Sequence, residues 1–147
     1  RIIGVTEELS AQDIYELGKE IEPFAIASGT RMGHVHLSVK NSRESSAFYQ
    51  ESLGLEDKFT IPHASWIASG DYHHHLAVNE WGGKNLVPRE HGMTGLAYYV
   101  VEVENKEFLV NLFTQAQDWQ EQLRWISSSE FSVTDKDGIV TRVRVEN

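Results

Sequence analysis

The 147 residues contain no cysteine, which removes disulfides, thiolate nucleophiles and thiolate-held metals from consideration. No apolar run approaches the roughly 18 residues that a membrane-spanning helix needs, and no signal-peptide pattern opens the chain. We expect a cytoplasmic protein with no membrane partner. Cations are scarce: 13 Lys and Arg against 22 Asp and Glu give a net charge of −9. So acidic a chain lacks the clustered positive charge that phosphate backbones require, and nucleic acid is not an expected partner. Phosphate-cradling glycine loops are missing too, since "WGGK" (81–84) follows a strand pattern and opens no helix. The chain opens on Arg1 instead of Met, from which we expect a piece of a longer protein.

What is present is an ordinary globular composition, 40% hydrophobic and 24% charged, in a length that suits one compact domain. Residues 7–22 read as a short helix with Ser10 as N-cap and Ile14, Leu17 and Ile21 on one face. "PFAIASGT" then reads as a linker, so that 1–30 form a lead-in and 31–147 the domain proper. "HVHLSV" (34–39) alternates as a strand, and "NSRESSAFYQESLGL" reads as a helix capped by Asn41 or Ser42 and closed by Gly54. Strands are expected at 56–61, 64–69 and 72–79, giving a β-α-β-β-β order. The order then repeats, with a strand at 96–104, a helix at 105–119 and strands near 122–127, 129–134 and 139–146. Aligning His34 with Tyr98, an offset of 64, superimposes apolar positions such as Val39 on Val103 and Phe48 on Leu112. The expected fold is therefore α+β: two βαβββ units, about 31–82 and 94–147, forming a curved mixed sheet (a half-open barrel) with the helices outside.

The most unusual stretch is "GDYHHHLAVNEWGG" (70–83), with three consecutive histidines. If it is a strand, His73 and His75 share one face and His74 takes the other. A strand histidine is more often a hydrogen-bonded, partly buried residue than a ligand. Here, however, two His-x-His pairs, His34/His36 and His73/His75, fall on strands that this fold sets side by side. His63 and His91 lie in loop contexts and are read as surface solvation.

"MGHVHLSVKNSRESSAFYQESLGL" resembles the opening of a module of the vicinal oxygen chelate superfamily, whose members include glyoxalase I, bleomycin-resistance proteins and type I extradiol dioxygenases. "GTRMGHVHLSV", "ASGDYHHHLAVNEWGG" and "GLAYYVV" more narrowly resemble the C-terminal half of bacterial catechol 2,3-dioxygenases. The resemblance implies metal ligands on the first and last strands of each unit, which carry over to His34 and His75, with His73 and His36 one strand step away. In the second unit the ligand positions fall on Tyr98 and Arg142, so the family's carboxylate is absent there. It implies Fe(II) or Mn(II) as cofactor, a small catechol-like aromatic ligand, and an N-terminal module outside this chain that bears on activity. Extradiol ring cleavage by the parent protein, with this piece inactive alone, is the first reading. The other is a metal-free binding or structural module in which Tyr98, Arg142 and Trp81 line the pocket. Both metal-bound and metal-free states stay open, as does a homo-oligomer.

Overall fold

The computed structural model describes residues 8–18, 25–83, 85–87, 90 and 92–146, without the side chains of 120 and 121. The chain divides into two units, one ending at Gly33 and one beginning at His34. The first contains helix α1 (Ala11–Leu17), capped by the Ser10 hydroxyl, which accepts from the Asp13 N–H at 3.2 Å. The expected apolar face is not buried: Ile14 and Leu17 are exposed, and Ile21 lies outside the described residues.

The second unit carries the repeat. Strand β1 (Val35–Ser38), helix α2 (Ser42–Leu53), β2 (Glu56–Ile61), β3 (Ala64–Ala68) and β4 (Leu76–Asn79) make a four-stranded sheet of order β1-β4-β3-β2. Then β5 (Tyr99–Val103), α3 (Lys106–Gln115), a 3-10 segment (Ala116–Gln122), β6 (Leu123–Ser127), β7 (Glu130–Thr134) and β8 (Val140–Val145) make a second sheet of order β5-β8-β7-β6. In each, the first strand runs parallel to the last and the other pairings are antiparallel. The α+β architecture of paired βαβββ repeats is thus present, as two open mixed sheets and not as a closed barrel.

The helices begin where the sequence supplies a cap. Asn41 accepts from the Arg43 and Glu44 N–H groups, and Asn105, 64 residues on, accepts from Phe108, satisfying donors that a helix start leaves free. Gly54 ends α2 at φ 66°, in the left-handed region, and a Cβ there would lie 3.3 Å from the Leu112 side chain of α3. Both conditions favour glycine.

One core joins the repeats. Leu37, Val39, Phe48, Tyr49, Ile67, Leu76 and Val78 of the first pack in one cluster with Tyr99, Leu109, Leu112, Phe131, Val133 and Val143 of the second. The strand residues among these lie on the helix-bearing faces of the sheets, as the strand period of two dictates, and Phe48, Tyr49, Leu109 and Leu112 meet them from the helices. The Tyr49 hydroxyl, fully buried, donates to the Asp135 carboxylate at 2.7 Å. Asp135 also accepts from the Asp137 and Ile139 N–H groups, so the "DKDG" turn is fastened to the first repeat. Burial pushes both the Asp135 carboxyl and the Tyr49 hydroxyl up from their ordinary ionisation ranges.

Two sequence expectations need correcting. The last strand of the first repeat starts at Leu76, so His73, His74 and His75 lie in the turn that precedes it. The helix expected at 105–119 ends at Gln115 and gives way to the 3-10 segment, which kinks at Trp119.

Candidate metal centre

Four histidine rings gather at the end of the first sheet where β1 begins. His34 immediately precedes β1, and His36 lies on it, pointing away from the buried Leu37. His73 and His74 come from the 70–75 turn, which is anchored at its C-terminal end through His75. The His75 N–H donates to the Ile67 carbonyl at 2.9 Å, and the His75 carbonyl accepts from Val35 at 3.0 Å. His34 has one ring nitrogen in a group with one each from His73 and His74, all within 4.8 Å of one another. Ring centroids lie 4.3 Å apart for His34–His74, 5.0 Å for His34–His36 and 4.4 Å for His73–His74. The Nε2 atoms of His36 and His74 are 3.1 Å apart.

Partial burial, with His34 as the next contribution, pushes His74 down to about 4, and the same causes lower His36. Both rings are accordingly neutral near pH 7, the form that ligates metal. The cluster fits a metal site with imidazole donors.

The sequence had placed His75 in the site and His74 opposite it. In the structure His74 joins the cluster, and the His75 Nδ1 instead accepts from the Ser69 N–H at 3.2 Å while its ring lies 4.8 Å from Tyr72. Residues 70–75 form a turn, in which successive side chains do not alternate between two faces. His63 does more than meet solvent: it lies 3.0 Å from the Glu80 carboxylate, whose other oxygen accepts from the Ser42 N–H and hydroxyl. Those bonds, the Ser42 N–H foremost, hold Glu80 down at about 2. His91 lies outside the described residues.

Beside the histidines the same sheet face turns aromatic. Ladder partners share a face, and one row runs His36–Ala77–Trp66–Phe59 across all four strands. Phe59 and Trp66 rings are 5.4 Å apart, and Trp81, 65% exposed, lies 6.5 Å beyond Trp66. Ala77 provides a small floor between a ring-nitrogen cluster and an indole.

The other expected site residues form a separate group. The Arg142 guanidinium lies 3.8 Å over the Tyr98 ring and 3.5 Å from Glu130. Arg142 pairs with Val100, the repeat equivalent of His36, so it takes the place of Ala77; Val140 takes that of His75. The sequence expectation aligns Arg142 with His75, whereas the ladders set it at the place of Ala77, two residues further along the last strand. Among the described residues no carboxylate joins the histidine cluster. The two-histidine, one-carboxylate set of an Fe(II) oxygenase is therefore not assembled there. A distinct cavity of about 140 Å³ lies where the repeats meet, lined by Lys40, Glu44, Phe48, Trp119 and Asp135, with none of the histidines.

Comparison with known proteins agrees with this fold. The chain is 30% identical over 109 residues to "Catechol-2,3-dioxygenase" of Bacillus subtilis (strain 168), a match that takes in 73% of this chain and 38% of that protein. Its fold is similar to a glyoxalase/dioxygenase from Nostoc punctiforme (TM-score 0.63, 17% identity, 84% of this chain and 97% of that one). It is also similar to a lactoylglutathione lyase from Agrobacterium tumefaciens (TM-score 0.56, 18% identity, 81% and 96%). Residues 31–143 match the family profile that describes this fold, and the chain belongs to the Glyoxalase/Bleomycin resistance protein/Dioxygenase superfamily.

Proposed function

We propose that this chain is the metal-binding C-terminal module of a catechol 2,3-dioxygenase-like protein, and that it does not cleave catechol on its own. The observation that carries the reading is the convergence of one nitrogen each from His34, His73 and His74 within 4.8 Å. The relative named for catechol cleavage is matched over 38% of its length, so the parent protein's activity rests on that likeness together with the site. The residues do the following: the imidazoles hold the ion, and the Trp66–Phe59 row with its Ala77 floor presents an apolar wall to a small aromatic ring. An ion in this family supplies Lewis-acid or redox chemistry. The carboxylate that extradiol cleavage requires is not brought to the cluster, so we derive no ring-opening step from this chain.

The test is metal analysis and calorimetric titration of protein purified without a tag, beside a His34→Ala/His74→Ala variant. One divalent ion per chain, lost in the variant, is the expected result. Equal binding by both proteins overturns the reading. Added Fe(II), ascorbate and catechol should give no ring-opened product, and robust turnover overturns that part.

A second reading, a metal-free binding module, is favoured by Arg142 stacked on Tyr98, a pairing suited to a phenolic or anionic ligand. Binding of a catechol that survives chelator and is lost in Arg142→Ala would establish it.

A further inference from the structure

We propose that the cluster is a four-imidazole site, with His36 as the fourth donor to His34, His73 and His74, and that it selects an ion of the zinc, nickel and copper group over iron(II) and manganese(II). This rests on the reading above that the cluster binds metal.

Metal–imidazole bonds are roughly 2.0–2.1 Å. Two nitrogens on one ion, at angles between octahedral and tetrahedral, therefore lie about 2.9–3.4 Å apart. The His36 and His74 Nε2 atoms are 3.1 Å apart. That spacing suits an N–H···N hydrogen bond in the metal-free chain, and it equally suits two ligands of one ion. Exchanging one for the other needs a tautomer change, with the proton moving to Nδ1 of the donor ring, and side-chain rotation that brings His36 into the group formed by His34, His73 and His74. His34 links the set: one of its nitrogens groups with those of His73 and His74, and its ring centroid lies 5.0 Å from that of His36.

Donor chemistry then decides the ion. Imidazole suits zinc, copper and nickel, whereas manganese favours carboxylate, carbonyl and water oxygens. No carboxylate accompanies these rings among the described residues. Counting positions leads the same way. Four imidazoles fill a tetrahedron, or leave two places on an octahedron, while a chelating catecholate plus dioxygen needs three. The ion at this cluster is thus suited to polarising one bound oxygen, or to a structural role, and not to ring cleavage.

The experiment is anaerobic calorimetry of the full chain, without a tag, with Zn²⁺, Ni²⁺, Fe²⁺ and Mn²⁺, supported by nitrogen couplings in the electron paramagnetic resonance spectrum of the Cu²⁺ form. We expect one Zn²⁺ or Ni²⁺ per chain, bound at least ~100-fold more tightly than Fe²⁺ or Mn²⁺, and couplings from four nitrogens. His36→Ala should weaken Zn²⁺ at least ~10-fold, with His36→Gln as a second variant if the first fails to fold, and His75→Ala should stay within about threefold. Fe²⁺ or Mn²⁺ binding within tenfold of Zn²⁺ overturns the selectivity. A loss in His75→Ala with none at His36 overturns the donor set. In both cases the metal reading survives. Absence of binding by every ion removes that reading itself.

Discussion

The two repeats share a topology and differ row by row. On the helix-bearing face, Leu37–Val78–Ser65–Thr60 runs across the first sheet, where Val101–Val143–Phe131–Trp125 runs across the second. The first row ends in hydroxyls: Ser65 meets Ser46 at 2.8 Å and Thr60 at 2.9 Å. The second ends in rings, with Trp125 stacked on Phe113 at 4.4 Å and Phe131 against both. On the outer face His36–Ala77–Trp66–Phe59 stands against Val100–Arg142–Ser132–Arg124. One fold thus tolerates a polar or an aromatic inner edge, because either satisfies its own groups. The outer row, free of the core, is where the repeats diverge in chemistry: imidazole and indole in one, guanidinium groups with an Arg142–Glu130 pair in the other.

The largest effect that would sharpen this contrast is expected from Phe131→Ala, at about 3–5 kcal/mol for a fully buried ring with little room to collapse. Chemical denaturation should show it, and a loss below ~1 kcal/mol would mean that the second repeat is not held by its aromatic edge. Tyr49→Phe comes next. It strips a 2.7 Å hydrogen bond from a buried carboxylate, an expected loss of about 1.5–3 kcal/mol. Ser65→Ala, at the place of Phe131 in the first repeat, should cost only about 1 kcal/mol, because Ser46 and Thr60 keep other partners.

Acid should separate the repeats as well. All seven histidines precede residue 92. His74 in the folded chain is depressed to about 4 from 6.5, with His36 and His75 also lowered. A depressed pKa means that the unfolded chain takes up the proton first. The stability His74 gives is present above pH 6.5 and is lost as pH falls toward about 4, and the lowered His36 and His75 act in the same direction. Asp135 has the opposite sign: its raised pKa favours folding below the ordinary carboxylate range, and that contribution is lost as pH rises through its folded value. In chelator, denaturation midpoints should fall between pH 6.5 and about 4, and His74→Ala should flatten that fall. An unchanged slope would contradict the assignment. The smallest effect belongs to Arg142→Ala. It removes a half-exposed stack on Tyr98 and a weak pair with Glu130, worth about 0.5–1 kcal/mol together.

The fold was legible because burial imposes periods that survive divergence. Val39 and Val103, or the caps Asn41 and Asn105, keep their spacing whatever the outer face carries. The site was legible in part. His34, His36 and His73 stood out as residues, but His74 was set on the wrong face because the strand period was extended into a turn. Arg142 aligns with His75 through the Asp135, Asp137 and Gly138 turn pattern, which does not fix strand register; the ladders place it with Ala77, two residues on. Asp135 looked like turn chemistry alone. Its partner Tyr49 is 86 residues away, beyond any local pattern.

That separation has a kinetic consequence. The β2–β3 and β6–β7 pairings close short loops, whereas the Tyr49–Asp135 bond closes a loop of 86 residues and pays a larger entropic cost. We expect a contact of that kind to form after the barrier is crossed. The bond therefore acts as a latch on escape from the native state: its loss should appear in the unfolding limb of a chevron and leave refolding nearly unchanged.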